Sequence, residues 1–312
     1  MSEKPYLGID IGGTSVKLGI VDRSGTILES GSFGLHDNEI RSSAIETIQR
    51  GTQSFLHEHG IVAASLSGIG VCAPGLIDSA NGCVAGTGAN IPGWAGTMVR
   101  DQLEQGFHLP VSLAGDGNCA LLAEHWIGAA RGYTDVVCIT IGTGVGGGVL
   151  TGGRLLEGSH GFGGQIGHFP THAWSGEVCA CGLDGCFERY ASASALVRQA
   201  LSTDPGWKDG LSVFQAAANG SAAARELLKT WINEIAAGVA GLVHIFDPQL
   251  VLIGGGVSVQ HELLIKPLQE RVFSLIMPAY RHGLRFRAAE LKNTAGFVGA
   301  VYYHLWSKRC AP

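Results

Sequence analysis

The sequence predicts an α/β protein built from two related lobes, and three observations lead to that prediction. A strand, a glycine turn and a second strand follow one another near residue 10, and the same order returns near residue 141. Stretches with helical spacing of apolar residues alternate with further buried strands. The length of 312 residues exceeds that of one ordinary domain and suits two lobes of roughly 100–200 residues each.

The first half of the chain opens with an antiparallel meander, because two strands flank a glycine turn and a third follows the turn signal Asp22–Gly25. A helix with apolar residues at roughly helical spacing comes next, then two buried strands and a second helix. The predicted strands are Tyr6–Ile11, Val16–Val21, Ile27–Phe33, Ser67–Cys72 and Val111–Ala114, and the predicted helices are Ser42–His59 and Asp116–Ala129.

The second half repeats the pattern with strands on either side of the glycine turn Gly142–Gly148, and then becomes largely helical. No Pro- or Ser-rich linker separates the halves, so we expect helices to join the lobes and the ligand cleft to lie between them. The predicted strands are Asp135–Ile141, Gly147–Thr151 and Leu250–Ile253, and the predicted helices are Trp207–Phe246 and Gly296–Trp306.

Composition excludes several classes of function. Apolar residues make up 46% and charged residues 15% of the chain, which allows a sizeable core. The net charge of −5 and the lack of a basic stripe argue against a nucleic-acid partner. No apolar run reaches the roughly 20 residues that span a bilayer. The segment Met1–Tyr6 lacks the features of a signal peptide, so we expect a cytoplasmic protein.

Three glycine clusters each follow a buried strand, which favours loops whose backbone N–H groups approach a phosphate. Any one cluster could be an ordinary tight turn, and the third could be only the entry to a helix. No Walker A or G-x-G-x-x-G element opens a βαβ unit, which argues against P-loop NTPases and dinucleotide dehydrogenases. The candidate phosphate-binding residues are Asp10, Gly12, Gly13 and Thr14, then Gly142, Thr143, Gly144 and Gly146, then Gly254, Gly255 and Gly256.

Asp116 follows a predicted strand and precedes an apolar helix. One interpretation is that it is only the N-cap of that helix. A carboxylate at a helix N-terminus stays ionised, because the helix dipole favours the charged form. An ionised Asp can accept the proton of an attacking hydroxyl in phosphoryl transfer, so the catalytic and capping interpretations are compatible.

A cysteine and histidine cluster indicates a structural metal site. His168 is followed by Cys179, Cys181 and Cys186, and three thiols with one imidazole suit tetrahedral zinc with no open position. The alternative is three free thiols on a turn. Zinc here would hold rigid the segments that carry Gln165, His168 and Glu188.

These motifs together resemble those of the ROK family (repressors, open reading frames, kinases), and specifically its sugar kinases. Asp10–Thr14 resembles the DxGGT phosphate loop, and Asp116–Asn118 resembles the catalytic D-A-N element. The other matching segments are Ala73–Gly75, Asn90–Trp94, Gly142–Gly148, Gly164–His168, Gly176–Glu188 and Gly254–Val257, the last resembling the adenosine loop.

The resemblance implies an actin-like ATPase (ribonuclease H-like) fold of two lobes, with residues 1–115 and 296–312 in the small lobe and 116–295 in the large lobe. It implies ATP with Mg²⁺, a structural Zn²⁺, a homodimer or homotetramer, and phosphorylation of a hexose, at O6, with Asp116 as the general base. Val257 would lie against the adenosine. The residues expected at the sugar are Gly75, Asn90, Gly115, Asp116, Gln165, His168 and Glu188.

Two departures from the family pattern leave the sugar open. Gln165 stands where the family has Glu, and Gly115 stands where it usually has Asn before the catalytic Asp. An amide donates hydrogen bonds that a carboxylate cannot, and glycine leaves space. We expect a glucokinase-like enzyme, and the alternative that these changes fit is a kinase of an N-acetylhexosamine (N-acetylmannosamine or N-acetylglucosamine) or of allose.

Three other functions remain as alternatives. A repressor of the same family would carry a DNA-binding segment before the first phosphate loop, and here nine residues precede Asp10. A non-catalytic sugar sensor would replace Asp116 or break the loops. An actin-like ATPase would lack the cysteine cluster and the Asn90–Trp94 segment. The sequence therefore favours a sugar kinase.

Overall fold

The structure is a computed structural model, and it describes residues 3–35, 43–86 and 91–310, with side chains to residue 307. The chain forms two compact units. Unit 1 comprises Met1–Arg131, Glu157–Gly163 and Asn293–Pro312, and unit 2 comprises Gly132–Leu156 and Gly164–Lys292. The expected boundary between residues 115 and 116 lies inside unit 1, which continues to Arg131.

Unit 1 is built on a five-stranded sheet in which three antiparallel strands continue into two parallel ones, in the order β3-β2-β1-β4-β7. A separate hairpin pairs β5 with β6. The strands are β1 Tyr6–Ile11, β2 Ser15–Val21, β3 Ile27–Gly34, β4 Ile69–Ala73, β5 Leu76–Asp78, β6 Cys83–Gly86 and β7 Val111–Gly115.

The helices of unit 1 include α1 Ala44–Glu58, α2 Val99–Phe107, α3 Asp116–Ile127 and the C-terminal helix α9 Ala295–Cys310. Helix α9 packs on β1, β4 and α3. Glycines in the strands allow this close approach: an ideal Cβ at Gly8 would lie 2.3 Å from the carbonyl oxygen of Phe297. Helix α3 thus belongs with the first sheet, because α9 covers both.

Unit 2 repeats the sheet pattern, in the order β10-β9-β8-β11-β12, with an antiparallel part followed by two parallel strands. The strands are β8 Val136–Ile141, β9 Val145–Thr151, β10 Arg154–Leu155, β11 Leu250–Gly254 and β12 Arg285–Ala288. The helices include α4 Glu188–Ala191, α5 Ala193–Thr203, α6 Gly210–Ala218, α7 Ala222–Phe246 and α8 Lys266–Leu275.

The predicted α/β class with a repeated strand–turn–strand unit is confirmed. The largely helical stretch predicted over Trp207–Phe246 contains two helices, α6 and α7, because Gly220 adopts a φ of 96° between them and Ser221 caps the second. Each unit has a separate apolar core, one drawn from residues 7–113 and the other from residues 137–286.

Candidate active site and metal centre

The first phosphate loop joins β1 to β2 in unit 1. The N–H of Gly12 donates to the carbonyl of Ser15 at 2.9 Å, and Thr14 is exposed at the tip of the turn. Asp10 precedes the turn and pairs in register with Lys17, whose Nζ lies 3.8 Å from its carboxylate. Burial raises the pKa of Asp10, although the Cys72 thiol and Lys17 oppose the rise.

Asp10 and Asp116 lie at the same edge of the first sheet. In the register of three neighbouring parallel strands, Asp10 is beside Cys72 and Cys72 is beside Ala114, two residues before Asp116. Hydrogen bonding with Cys119, burial and the two carboxylates raise the pKa of the Cys72 thiol well above its ordinary value. No local pattern in the sequence shows that Cys72 lies beside both carboxylates, since this position depends on strand register.

Asp116 is the first residue of α3, not its N-cap. Strand β7 ends at Gly115, which is the capping residue, and Asp116 Oδ1 accepts the N–H of Gly117 at 2.7 Å. The prediction of Asp116 as a cap was therefore wrong by one position. An ideal Cβ at Gly115 would meet nothing within 4 Å, so the site has open space beside Asp116.

The family segments Ala73–Gly75 and Asn90–Trp94, both in unit 1, are joined by a tryptophan. The indole N–H of Trp94 donates to the carbonyl of Pro74 at 3.0 Å, and the Trp94 side chain is buried. Gly75 then turns with a φ of 104°, which a side chain would disfavour. Trp94 thus fixes the turn that contains Gly75. Asn90, predicted to contact the sugar, lies outside the described residues.

The second phosphate loop, in unit 2, is shorter than predicted. It joins β8 to β9 through Gly142, Thr143 and Gly144, whereas Gly146 and the two glycines after it lie within β9. Gly147 serves close packing rather than a turn: an ideal Cβ there would lie 2.1 Å from Cδ1 of Ile166. The Gly142 carbonyl accepts the N–H of Ala193, the first residue of α5, at 2.9 Å.

The third glycine cluster lies against the start of the second loop. Gly254 ends β11, Gly255 has a φ of 86°, and Gly256–Val259 form a 3₁₀ turn. An ideal Cβ at Gly255 would lie 2.1 Å from the carbonyl oxygen of Ile141. The structure therefore brings together the second and third glycine clusters, which both lie in unit 2, and Val257 is buried beside them.

The four predicted metal ligands converge in unit 2. One ligand atom from each of His168, Cys179, Cys181 and Cys186 lies within 4.8 Å of all the others. The Cys181 and Cys186 sulfurs are 3.5 Å apart, and Cys179 Sγ is 3.8 Å from His168 Nδ1. Tetrahedral zinc with bonds of about 2.3 Å places its ligand atoms about 3.8 Å apart, so the cluster fits zinc.

The thiols also show why a cation suits this cluster. Burial and hydrogen bonds with the other two thiols raise the pKa of Cys186 to about 12. Burial also acts to raise the pKa of Cys181, but hydrogen bonds from the Leu183 N–H and the two neighbouring thiols bring it below the ordinary value. Several thiolates at this spacing require a compensating positive charge, which a bound metal supplies.

Of the predicted sugar-contacting residues, His168 belongs to the cluster and Glu188 adjoins it. His168 Nδ1 and Glu188 Oε1 both approach Cys179 Sγ, at 3.8 Å and 3.7 Å. Gln165 is exposed, and its main-chain carbonyl accepts the N–H of His168 at 3.1 Å. Glu188 also reaches the second phosphate loop, because its Oε2 accepts the N–H of Val145 at 2.9 Å. The sequence did not predict this link.

Comparison with known proteins agrees with this arrangement. The model of the ROK family matches residues 6–307. The chain belongs to the ROK family. It is 35% identical to a glucokinase of Thermotoga maritima over 315 aligned positions, which cover 96% of this chain and 97% of that one.

Solved structures of the family share the fold. A ROK family glucokinase from Streptomyces griseus, in complex with glucose and AMPPNP, has a TM-score of 0.80 and 32% identity, covering 95% of this chain and 97% of that chain. Lmo2764, a putative N-acetylmannosamine kinase from Listeria monocytogenes, has a TM-score of 0.81 and 28% identity, covering 97% and 99%. The predicted actin-like ATPase fold of the ROK kinases is thereby confirmed.

Within the described residues, no helix is long and apolar enough to cross a bilayer.

Proposed function

We propose that this chain, an ATP-dependent sugar kinase of the ROK family, transfers the γ-phosphate of ATP to the primary hydroxyl O6 of a hexose, with Asp116 as the general base. The observation that carries the proposal is the placement of Asp116. Asp116 is the first residue of α3 and lies at the same sheet edge as Asp10. This placement follows from the register of β1, β4 and β7.

Asp116 has the electrostatic surroundings that a base requires. The N-terminus of α3 favours its ionised form, and the N–H of Gly117 fixes the orientation of the carboxylate. Phosphoryl transfer depends mostly on positioning and charge stabilisation. Asp116 would accept the proton of the sugar hydroxyl as that oxygen attacks the γ-phosphorus and the bond to the bridging oxygen of ADP breaks.

The phosphate groups of ATP would be held by backbone N–H groups. The candidate loops are the turns Gly12–Thr14 and Gly142–Gly144, each with little side-chain bulk, a geometry that suits anion binding. Gly254, Gly255, Gly256 and Val257 would lie against the adenosine.

Asp10 would hold Mg²⁺, which prefers carboxylate and water oxygens and neutralises phosphate charge when bound. The Cys/His cluster would hold zinc as a structural metal, with all four ligands supplied by the protein.

The sugar itself is proposed from fewer observations. The residues that would contact it are Gly75, Asn90, Gly115, Gln165, His168 and Glu188. A glucose-like hexose is the first candidate, since the similar proteins include glucokinases. An N-acetylhexosamine or allose is the second, because the open space at Gly115 leaves room for a bulkier or differently oriented substituent.

ADP release with Mg-ATP across a panel of sugars tests the proposal. The panel comprises glucose, mannose, allose, fructose, N-acetylglucosamine and N-acetylmannosamine, with Asp116→Asn as the matched variant of equal size. We expect a preferred sugar, and a loss of about 10²–10⁴-fold in kcat in Asp116→Asn while sugar affinity changes little.

Near-normal turnover by Asp116→Asn would refute its role as the base. ATP and sugar binding without turnover by the unaltered protein would instead favour the non-catalytic sensor.

A further inference from the structure

The carboxylate of Glu188 touches two functional elements of unit 2 at once. Its Oε2 accepts the N–H of Val145, the residue that ends the second phosphate loop and begins β9, at 2.9 Å. Its Oε1 lies 3.7 Å from Sγ of the metal-cluster residue Cys179. One side chain therefore spans from the Cys/His cluster to the loop proposed to hold phosphate.

The backbone around this contact leaves the carboxylate little freedom. An ideal Cβ at Gly144 would lie 2.1 Å from Glu188 Oε2, so the loop approaches this oxygen as closely as a glycine allows. Gly167, next to His168, packs on the other side of Val145, where an ideal Cβ would lie 2.0 Å from the Val145 carbonyl oxygen. The N–H of Glu188 donates to the Gly167 carbonyl at 2.9 Å. This bond links Glu188 directly to the glycine that packs against Val145.

The segment that carries the cluster has little regular secondary structure. Between Pro170 and Cys186 its regular pairing consists of two isolated bridges, Pro170 with Cys186 and Val178 with Asp184. Glu188 follows Cys186 by two residues and starts a helix of only four residues. A metal bound by the four ligands would cross-link this segment at Cys186, two residues before Glu188, in addition to the contacts given above.

We propose that Glu188 is a positioning residue that couples the metal cluster to the phosphate loop, so that metal occupancy sets the affinity for nucleotide. This inference rests on the proposed function, because it takes the loop Gly142–Gly144 to bind phosphate. Metal in the cluster fixes the Glu188 carboxylate, the carboxylate fixes the Val145 N–H, and the loop keeps the shape that phosphate requires.

The first test measures binding of Mg-ADP by calorimetry to metal-loaded and metal-depleted protein, in the wild type and in Glu188→Ala. We expect metal removal to weaken Mg-ADP binding by about tenfold in the wild type, the scale of one lost hydrogen bond to a charged group. Metal-loaded Glu188→Ala should already show that loss, and metal removal should then add little. An equal loss on metal removal in both proteins would overturn the proposal.

Two further variants separate the hydrogen bond from general disruption of the segment. Glu188→Gln keeps an oxygen that can accept the Val145 N–H, so the metal-loaded variant should bind Mg-ADP nearly as the wild type does. Glu177→Gln alters another carboxylate of the same segment, one that pairs with Arg189 and Arg198, and should retain the tenfold response to metal. Loss of that response in Glu177→Gln would contradict a specific role for Glu188.

A reciprocal measurement checks the same coupling from the side of the metal. By linkage, Mg-ADP should raise the affinity for zinc by the same factor of about ten in the wild type, and not in Glu188→Ala. Competition with a chelator measures this in the presence and absence of Mg-ADP. Equal effects of Mg-ADP on both proteins would overturn the coupling. Absence of Mg-ADP binding to any form would overturn the proposed function itself.

Discussion

At the scale of single residues, the first turn of α9 sets the position of Asp10. An ideal Cβ at Gly296 would lie 2.3 Å from the Asp10 carboxyl carbon and 2.4 Å and 2.6 Å from its two oxygens. Contacts this close do not occur in real side chains, so the carboxylate has its place only because residue 296 lacks a side chain. Glycine at this position therefore serves Asp10 rather than the helix.

Gly296→Ala should move the Asp10 carboxylate while leaving the fold intact. We expect a lower kcat and a higher Mg²⁺ concentration for half-maximal activity, because Asp10 is the proposed Mg²⁺ residue. Steady-state kinetics at varied Mg²⁺, with thermal unfolding of the same samples, would measure both.

Gly241→Ala is the matched control, since Gly241 lies within α7 and an ideal Cβ there meets nothing within 4 Å. It should keep the wild-type Mg²⁺ dependence and gain stability from the better helix propensity of alanine. An unchanged Mg²⁺ dependence in Gly296→Ala would mean that Asp10 tolerates displacement.

The cysteine cluster offers a second test on a single residue. Cys181→Ser should lower both the zinc content and the midpoint of thermal unfolding, because serine is a poor zinc ligand and the other thiols then lose their compensating charge. Metal analysis of purified protein and a thermal scan measure the two effects.

Cys83→Ser is the control, since Cys83 is a partly exposed free thiol in β6 of unit 1. The zinc content should be the same as in the wild type. Equal zinc in Cys181→Ser would contradict the metal site.

At the scale of elements, the start of α5 supports the second phosphate loop. Ser192 caps the helix by accepting the N–H of Ala195 at 3.1 Å, and its carbonyl accepts the buried indole N–H of Trp231 at 3.0 Å. The next residue, Ala193, donates its N–H to the Gly142 carbonyl at 2.9 Å. The cap therefore fixes the start of the helix, and the first residue of that helix bonds to the loop.

Ser192→Ala should reduce the free energy of unfolding by about 1 kcal/mol through the lost cap and should also weaken Mg-ADP binding. Ser221→Ala removes the corresponding cap of α7, where Ser221 accepts the N–H of Ala224 at 3.3 Å. It should cost a similar free energy without any change in nucleotide affinity.

Urea titrations and calorimetry compare the two variants. Equal nucleotide affinity in both would show that α5 does not support the loop.

At the scale of the whole molecule, the chain repeats one sheet topology in two units with separate cores. Each sheet runs from an antiparallel meander into two parallel strands. The apolar clusters of the two units share no residue. Fully buried leucines occur in both, Leu103 in α2 and Leu268 in α8.

We expect cavities in the two cores to act locally. Leu103→Ala and Leu268→Ala should each cost roughly 2–5 kcal/mol, and hydrogen exchange should increase mainly in unit 1 for the former and in unit 2 for the latter. Mass spectrometry of exchanged peptides distinguishes the units. A rise of equal size in both units for either variant would mean that the chain unfolds as one cooperative body.

The sequence alone determined the class of the fold, the order of most strands and the family. It did so because these features are local: alternation of buried residues, glycine turns and the spacing of His168, Cys179, Cys181 and Cys186 can be recognised within short windows. The roles of the candidate site residues, a cytoplasmic location and the oligomeric state stay predictions.

Only the tertiary structure decided which distant residues meet. Strand register, which depends on long-range pairing, placed Cys72 beside Asp10 and near Asp116. Close packing, not a turn, explained Gly147 of β9, because a glycine in a sequence does not reveal whether it serves a positive φ or a close approach. The link from Glu188 to Val145 spans 43 residues of chain, and no local pattern encodes such a contact. The sequence therefore identified the chemical groups, and folding decided which of them act on one another.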